Sequence, residues 1–211
     1  MFLQLDKKEQ NHIAAIDNSG RKIEYGELRS FTETFYDKIG KRTLIFILTK
    51  NNISSLAAYV ASLSGKIVPL LISANIESEL LSDLINIYQP EYLWIPEERR
   101  KDFNYKYVFK KYDSVLFKTN FNKINLHKDL SLLLTTSGST GSPKLVRHSY
   151  INIEENAKNV AHLFGLSPMD HPIASLPMHY TMGLSVITSH LYAGATLLLS
   201  DSSLLDPNFW R

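Results

Sequence analysis

The stretch Leu132-Leu133-Leu134-Thr135-Thr136-Ser137-Gly138-Ser139-Thr140-Gly141-Ser142-Pro143-Lys144 decides how the rest of the chain is read. An apolar run opens into hydroxyls and glycines and closes on a lysine, which is the composition a backbone needs to wrap a polyphosphate. Gly138 and Gly141 can take positive φ, so successive N–H groups can turn into one concavity. Five of the seven residues from Thr136 to Ser142 are Ser or Thr, each a short hydroxyl donor. Lys144 adds a point charge at the rim. The Walker loop of nucleotide triphosphatases is the obvious rival, but it needs a Gly-Lys pair followed by Ser or Thr at a helix start. Here Pro143 precedes the lysine and Leu145 follows it. Leu145-Val146-Arg147 reads as a strand, so this is not a Walker loop. A lone Gly-Ser-Thr-Gly would also suit a plain linker; the full string with its Pro-Lys close argues against one.

Outward from that loop the chain alternates. His12 to Asp17 and Arg21 to Glu24 flank Asn18-Ser19-Gly20 as a short hairpin. Tyr25 to Ile39 has helical spacing, with Leu28, Phe31, Phe35 and Ile39 on one face. Thr43 to Thr49 is an apolar, β-branched run suited to a buried strand. Asn52 caps a helix from Ile53 to Ser64, and Gly65 stops it. Ile67 to Leu71 is a strand, Glu77 to Tyr88 a helix ended by Gln89-Pro90, and Tyr92 to Ile95 another strand. Ser131 to Thr135 is the strand that feeds the loop. Beyond the loop, Ser149 caps a helix through Phe164 with Ile153, Ala157, Val160 and Phe164 on one face. Ile173 to Ser175, Tyr180 to Tyr192 and Ala195 to Leu199 follow as strand, helix and strand. The pattern predicts an α/β fold, a mostly parallel sheet with helices on both faces. Ligands in such sheets collect at the carboxyl ends of strands.

Composition narrows the function. A chain of 211 residues is one large or two small domains, enough to bury a sizeable core. A formal charge of +2 with 21% charged residues argues against a dedicated nucleic-acid binder. With no cysteine there is no disulfide framework, thiol nucleophile or cysteine-ligated metal. Met1 to Gln10 carries Asp6, Lys7, Lys8 and Glu9, so no signal peptide is visible, and no apolar run approaches the roughly 20 residues of a membrane span. The expectation is a cytoplasmic protein. Between Glu97 and His127, cations interleave with Phe103, Tyr105, Tyr107 and Phe109. That mixture could serve as a single-strand nucleic-acid platform, but period two reads more simply as a strand with one buried face. His148, His162, His171 and His190 have no metal-ligand spacing and read as surface or satisfied core imidazoles. His179, in Pro177-Met178-His179 at a strand end, is the exception.

The loop from Thr136 to Lys144 resembles the signature loop of the AMP-forming adenylating superfamily, which includes acyl- and aryl-CoA synthetases, peptide-synthetase adenylation domains and luciferases. Ile23-Glu24-Tyr25-Gly26-Glu27-Leu28, Leu63-Ser64-Gly65-Lys66-Ile67-Val68-Pro69-Leu70 and Leu176-Pro177-Met178-His179-Tyr180-Thr181-Met182-Gly183-Leu184 resemble further family blocks in the family's order. The resemblance implies the first lobe of the large N-terminal domain of an adenylating enzyme, using ATP and Mg²⁺. It implies a carboxylic acid substrate activated as an acyl-adenylate and passed to CoA or a carrier-protein thiol. Ser137, Gly138, Ser139, Thr140 and Gly141 would cradle the β- and γ-phosphates, Lys144 would neutralise them, and Thr136 would sit near Mg²⁺. His179 would line the acid pocket or the edge of the adenylate.

The sequence departs from the family twice. Leu145 stands where glycine is commoner. The family's later motifs, for adenine, ribose, a magnesium-holding Glu and the catalytic lysine, are not found before Asn208-Phe209-Trp210-Arg211. The expectation is therefore an N-terminal portion, inactive by itself. The alternatives are a non-catalytic truncated or split module that binds a nucleotide or a partner, and an unrelated α/β protein with a chance loop.

Overall fold

The computed structural model describes residues 1–135 and 145–202. After a short 3₁₀ segment at Phe2–Lys7 come β1 (Ile13–Asp17), β2 (Lys22–Glu24), α1 (Tyr25–Ile39), β3 (Leu44–Thr49), α2 (Ile53–Ser64), β4 (Val68–Ser73), α3 (Ser78–Tyr88) and β5 (Tyr92–Pro96). A second 3₁₀ segment, Glu97–Asp102, leads to β6 (Lys106–Lys111), β7 (Ser114–Lys118), β8 (Leu130–Thr135), β9 (Leu145–Ser149), α4 (Tyr150–Phe164), β10 (Ile173–Ala174), α5 (Thr181–Ala193) and β11 (Leu197–Leu199). The strands form two sheets rather than the single sheet expected. A seven-stranded sheet runs β6-β7-β5-β3-β4-β8-β9, and a four-stranded one runs β10-β11-β1-β2. The centre of the larger sheet, β5-β3-β4-β8, is parallel; β7, β6 and β9 pair antiparallel at its flanks. Alternating burial identifies a strand but not its partner, which is why the hairpin β1–β2 gave no sign of its pairing with β11.

Period two divides the core. Ile45, Ile47, Trp94, Leu132 and Leu134 face α1 and α2, whereas Phe46, Leu48, Leu93, Ile95 and Leu133 face α3. On α1, Leu28, Phe31, Phe35 and Ile39 are buried, as the helical spacing required. Helix α2 is buried on every side from Ile53 to Leu63, because it lies between the two sheets. Its small residues, Ser54, Ala57, Ala58 and Ala61, suit that confinement. Tyr59 is wholly enclosed there and shares a hydrogen bond of 3.1 Å with Thr188 Oγ1 on α5. The Asn52 side chain accepts from Ser55 N and caps α2; that of Ser149 caps α4 through Asn152 N. Both caps were legible beforehand.

One expectation holds for a different reason, and two need correcting. Helix α2 does end at Ser64, but Gly65 keeps a negative φ and Lys66 takes the left-handed turn at φ 54°. Position 65 is tight: a Cβ would lie 3.1 Å from Ala61 O and 3.2 Å from the Tyr36 ring, so those neighbours would have to give by a few tenths of an ångström. On α4 the buried stripe is Ile153, Ala157 and Ala161, and Phe164 is 70% exposed. The rings between 103 and 109 do not share one face. An irregularity between Tyr107 and Phe109 breaks the alternation. Phe103 and Tyr105 pack on the α3 side, and Phe109 packs against Phe31, Phe35 and Trp94 on the other. Tyr107 stays exposed under the Arg100 guanidinium. No helix among the described residues is long and apolar enough to cross a membrane.

Candidate active site at the carboxyl edge of the sheet

Helices α2 and α3 leave the carboxyl ends of neighbouring strands β3 and β4 toward opposite faces of the sheet. That divergence opens a crevice beyond the strand ends, the usual ligand position in such sheets. The residues at the crevice are hydroxyl-bearing. Thr49 and Ser73 end β3 and β4 as register partners, and Thr135 ends β8, beside β4. Thr135 and Leu145 are register partners across β8 and β9, so both ends of segment 136–144 are pinned at this edge. The proposed phosphate-binding residues Thr136, Ser137, Gly138, Ser139, Thr140, Gly141 and Lys144 themselves lie outside the described residues.

His179 arrives at the same edge, though not from a strand end. Strand β10 finishes at Ala174, and His179 sits in a turn closed by Tyr180 N donating to Pro177 O at 3.0 Å. Its Nδ1 lies 3.2 Å from Thr49 Oγ1, and its ring packs on Tyr180 with centroids 4.4 Å apart. Burial pushes the imidazole below the ordinary histidine range, against an opposing pull from Asp201. The turn is held in place by Asn51, which follows β3. Asn51 Nδ2 donates to the carbonyls of Ala174, Leu176 and Ser200 at 2.8, 2.9 and 3.2 Å, and Oδ1 accepts from Met178 N at 3.1 Å. The Asn51 backbone N–H donates to Asp201 Oδ1 at 2.5 Å. Thr49, Asn51 and Asp201 were missed in the sequence. The one available signal was the Asn51-Asn52 pair, of which capping accounts for only the second member.

A hollow of about 210 Å³ opens behind β8 and β9, between α4 and α5. Leu134, His148, Asn156, Ser185 and Thr188 are among its walls, and Ser185 Oγ donates to Asn156 Oδ1 at 3.1 Å. His148 departs from the expectation of a satisfied imidazole: Nε2 is buried without a partner among the described residues, and burial lowers its pKa. His190, by contrast, bonds Val186 O at 2.8 Å. Another hollow, of about 370 Å³, lies between α1 and β6, where Glu24 and Glu27 are already committed to the capping box of α1. It takes no residue from β3, β4 or β8.

Among the described residues no group of three or more His, Asp or Glu is placed to hold a metal ion. The hydroxyls of Ser73 and Thr135 would suit a magnesium ion brought in on nucleotide phosphates, since Mg²⁺ commonly keeps its waters and few protein ligands.

A hydroxyl-lined crevice, a pinned segment of the quoted composition and a histidine at one sheet edge agree with the comparison to known families. The AMP-binding enzyme family matches residues 3–211. The chain belongs to that family. As an AMP-binding enzyme it resembles acyl-CoA synthetase ALT10 of Alternaria alternata, 36% identical over 86 residues, which is 40% of this chain and 15% of that protein. It resembles the 2-succinylbenzoate–CoA ligase of Escherichia coli at 34% identity over 77 residues, 36% of this chain and 17% of that one. Among solved structures, MatB from Rhodopseudomonas palustris without ligand superposes with TM-score 0.77 at 20% identity, covering 100% of this chain and 47% of MatB. The O-succinylbenzoate coenzyme A synthetase MenE of Bacillus subtilis, in complex with AMP, gives 0.76 at 18% identity, covering 96% and 56%. These two likenesses establish the fold. The chain spans about half the length of these solved relatives.

Proposed function

We propose that residues 1–211 form the phosphate-binding lobe of an ATP-dependent, AMP-forming acid ligase of the cytoplasm. The rest of its AMP-binding domain and the lid domain are not among these residues. A carboxylate attacks the α-phosphorus of ATP; an O–P bond forms to give an acyl-adenylate, and pyrophosphate leaves. A thiol, of CoA or of a carrier protein, then takes the acyl group and releases AMP. Two anions must approach one another and the leaving group carries several charges, so fixed donors and Mg²⁺ supply most of the rate.

Each residue has a task in this scheme. Ser137, Gly138, Ser139, Thr140 and Gly141 turn N–H and hydroxyl groups onto the β- and γ-phosphates, Lys144 neutralises the departing pyrophosphate, and Thr136 lies near the ion. The hollow behind β8 takes the body of the acid, and His179 lines the acid pocket or the edge of the adenylate. Names among the relatives support CoA as acceptor: acyl-CoA synthetase and 2-succinylbenzoate–CoA ligase.

The observation that carries the reading is the pairing of Thr135 with Leu145 at the carboxyl edge that also receives His179. It supports a loop whose two ends are fixed beside the crevice where a nucleotide would lie. The test is acid-dependent pyrophosphate release by the complete protein. Lys144→Ala should slow adenylate formation by roughly tenfold to a hundredfold, the scale of one lost charge-assisted hydrogen bond. An unchanged rate removes Lys144 from the site.

A further inference from the structure

The contacts of Thr49 admit a single assignment of protons. Its hydroxyl has one hydrogen to give. Oγ1 lies 3.0 Å from the carbonyl oxygen of Ile72, which can only accept, so the hydrogen is committed there. His179 Nδ1 lies 3.2 Å from the same Oγ1. The proton in that second contact must therefore sit on Nδ1, with a lone pair of Oγ1 receiving it. A neutral imidazole protonated at Nδ1 carries its free lone pair on Nε2. Thr49 is 4% exposed and its branched side chain has few rotamers, so the arrangement is held by the end of β3.

We propose that Thr49 is a positioning residue: it fixes His179 in the Nδ1–H form, so that Nε2 meets the ligand as a hydrogen-bond acceptor. The group facing His179 then carries a proton of its own, as a hydroxyl, amine or thiol does, and is not a phosphate or carboxylate oxygen. That role of Nε2 rests on the function proposed above; the tautomer does not. A histidine free in water favours Nε2–H, so the assignment is the reverse of what an unconstrained ring would show.

The experiment is nitrogen NMR of the histidine rings in the labelled 211-residue chain, above the histidine titration range, with His179→Gln used to assign the signal. The expected spectrum has His179 Nδ1 protonated and Nε2 bare. Thr49→Val, which keeps the shape and removes the hydroxyl, should move the ring toward Nε2–H, and Thr49→Ser should restore the original form. An Nε2–H signal in the unaltered chain overturns the proposal, and so does a Thr49→Val spectrum identical to it. If Thr49→Val does not fold, the spectra of the unaltered chain and Thr49→Ser still decide. Sulfate serves as an acceptor-only probe and should leave Nε2 bare; protonation of Nε2 in its presence would show a cationic role instead. Absence of ligase activity alongside the expected spectrum would count against the function and not against the tautomer.

Discussion

Asn51 Oδ1 accepts the backbone N–H of Met178 at 3.1 Å, one residue before His179. The end of β3 and the histidine turn are thereby joined by one side chain, whose amide also bonds three carbonyls. Asn51 is 4% exposed, so truncation strands several buried groups. Asn51→Ala should cost about 2–4 kcal/mol, from the lost bonds and the unsatisfied partners. Asn51→Asp should be at least as damaging, because a carboxylate would face carbonyl oxygens. Urea unfolding of the two variants checks both values.

Gly183, in the first turn of α5, is needed for close approach. A Cβ there would press into the carbonyl oxygens of Pro177 and Leu176, which are backbone and cannot swing aside. Gly183→Ala should therefore displace the turn bearing His179 and lower stability by about 1–3 kcal/mol, as overpacking does. A variant with unaltered stability and an unaltered His179 NMR signal would contradict this.

Stability should depend on pH through two imidazoles. Burial holds His148 below its ordinary value of 6.5, and His179 likewise, with Asp201 opposing. In the window between the folded and unfolded values the unfolded chain binds more protons, so stability falls as pH drops through that window. It should be flat above about pH 7, decline below about pH 6.5, and level off beneath the folded values. Denaturant midpoints from about pH 8 to about pH 5 read this directly. Replacing both histidines by glutamine should flatten the decline.

Much of this fold could be read from the sequence because its signals are local. The capping side chains of Asn52 and Ser149, the stripe from Leu28 to Ile39 and the continuous apolar run of β3 each lie within one element. Pairing between distant strands carries no such mark, so the second sheet had to be seen. The bulge at 107–109 was hidden because alternating aromatics look the same whichever face they take. At the site, composition marked the loop as a candidate and resemblance singled out His179. The supports, Thr49 and Asn51, are ordinary polar residues whose importance comes from partners over a hundred positions away in the chain.

The central claim is that segment 136–144 holds nucleotide phosphates, and amide hydrogen exchange with and without Mg-ATP tests it most directly. Mg-ATP should slow exchange across residues 136–144 of the complete protein, with much less slowing in Lys144→Ala. Exchange in that segment that is indifferent to saturating Mg-ATP, or protection confined to other residues, would contradict the account.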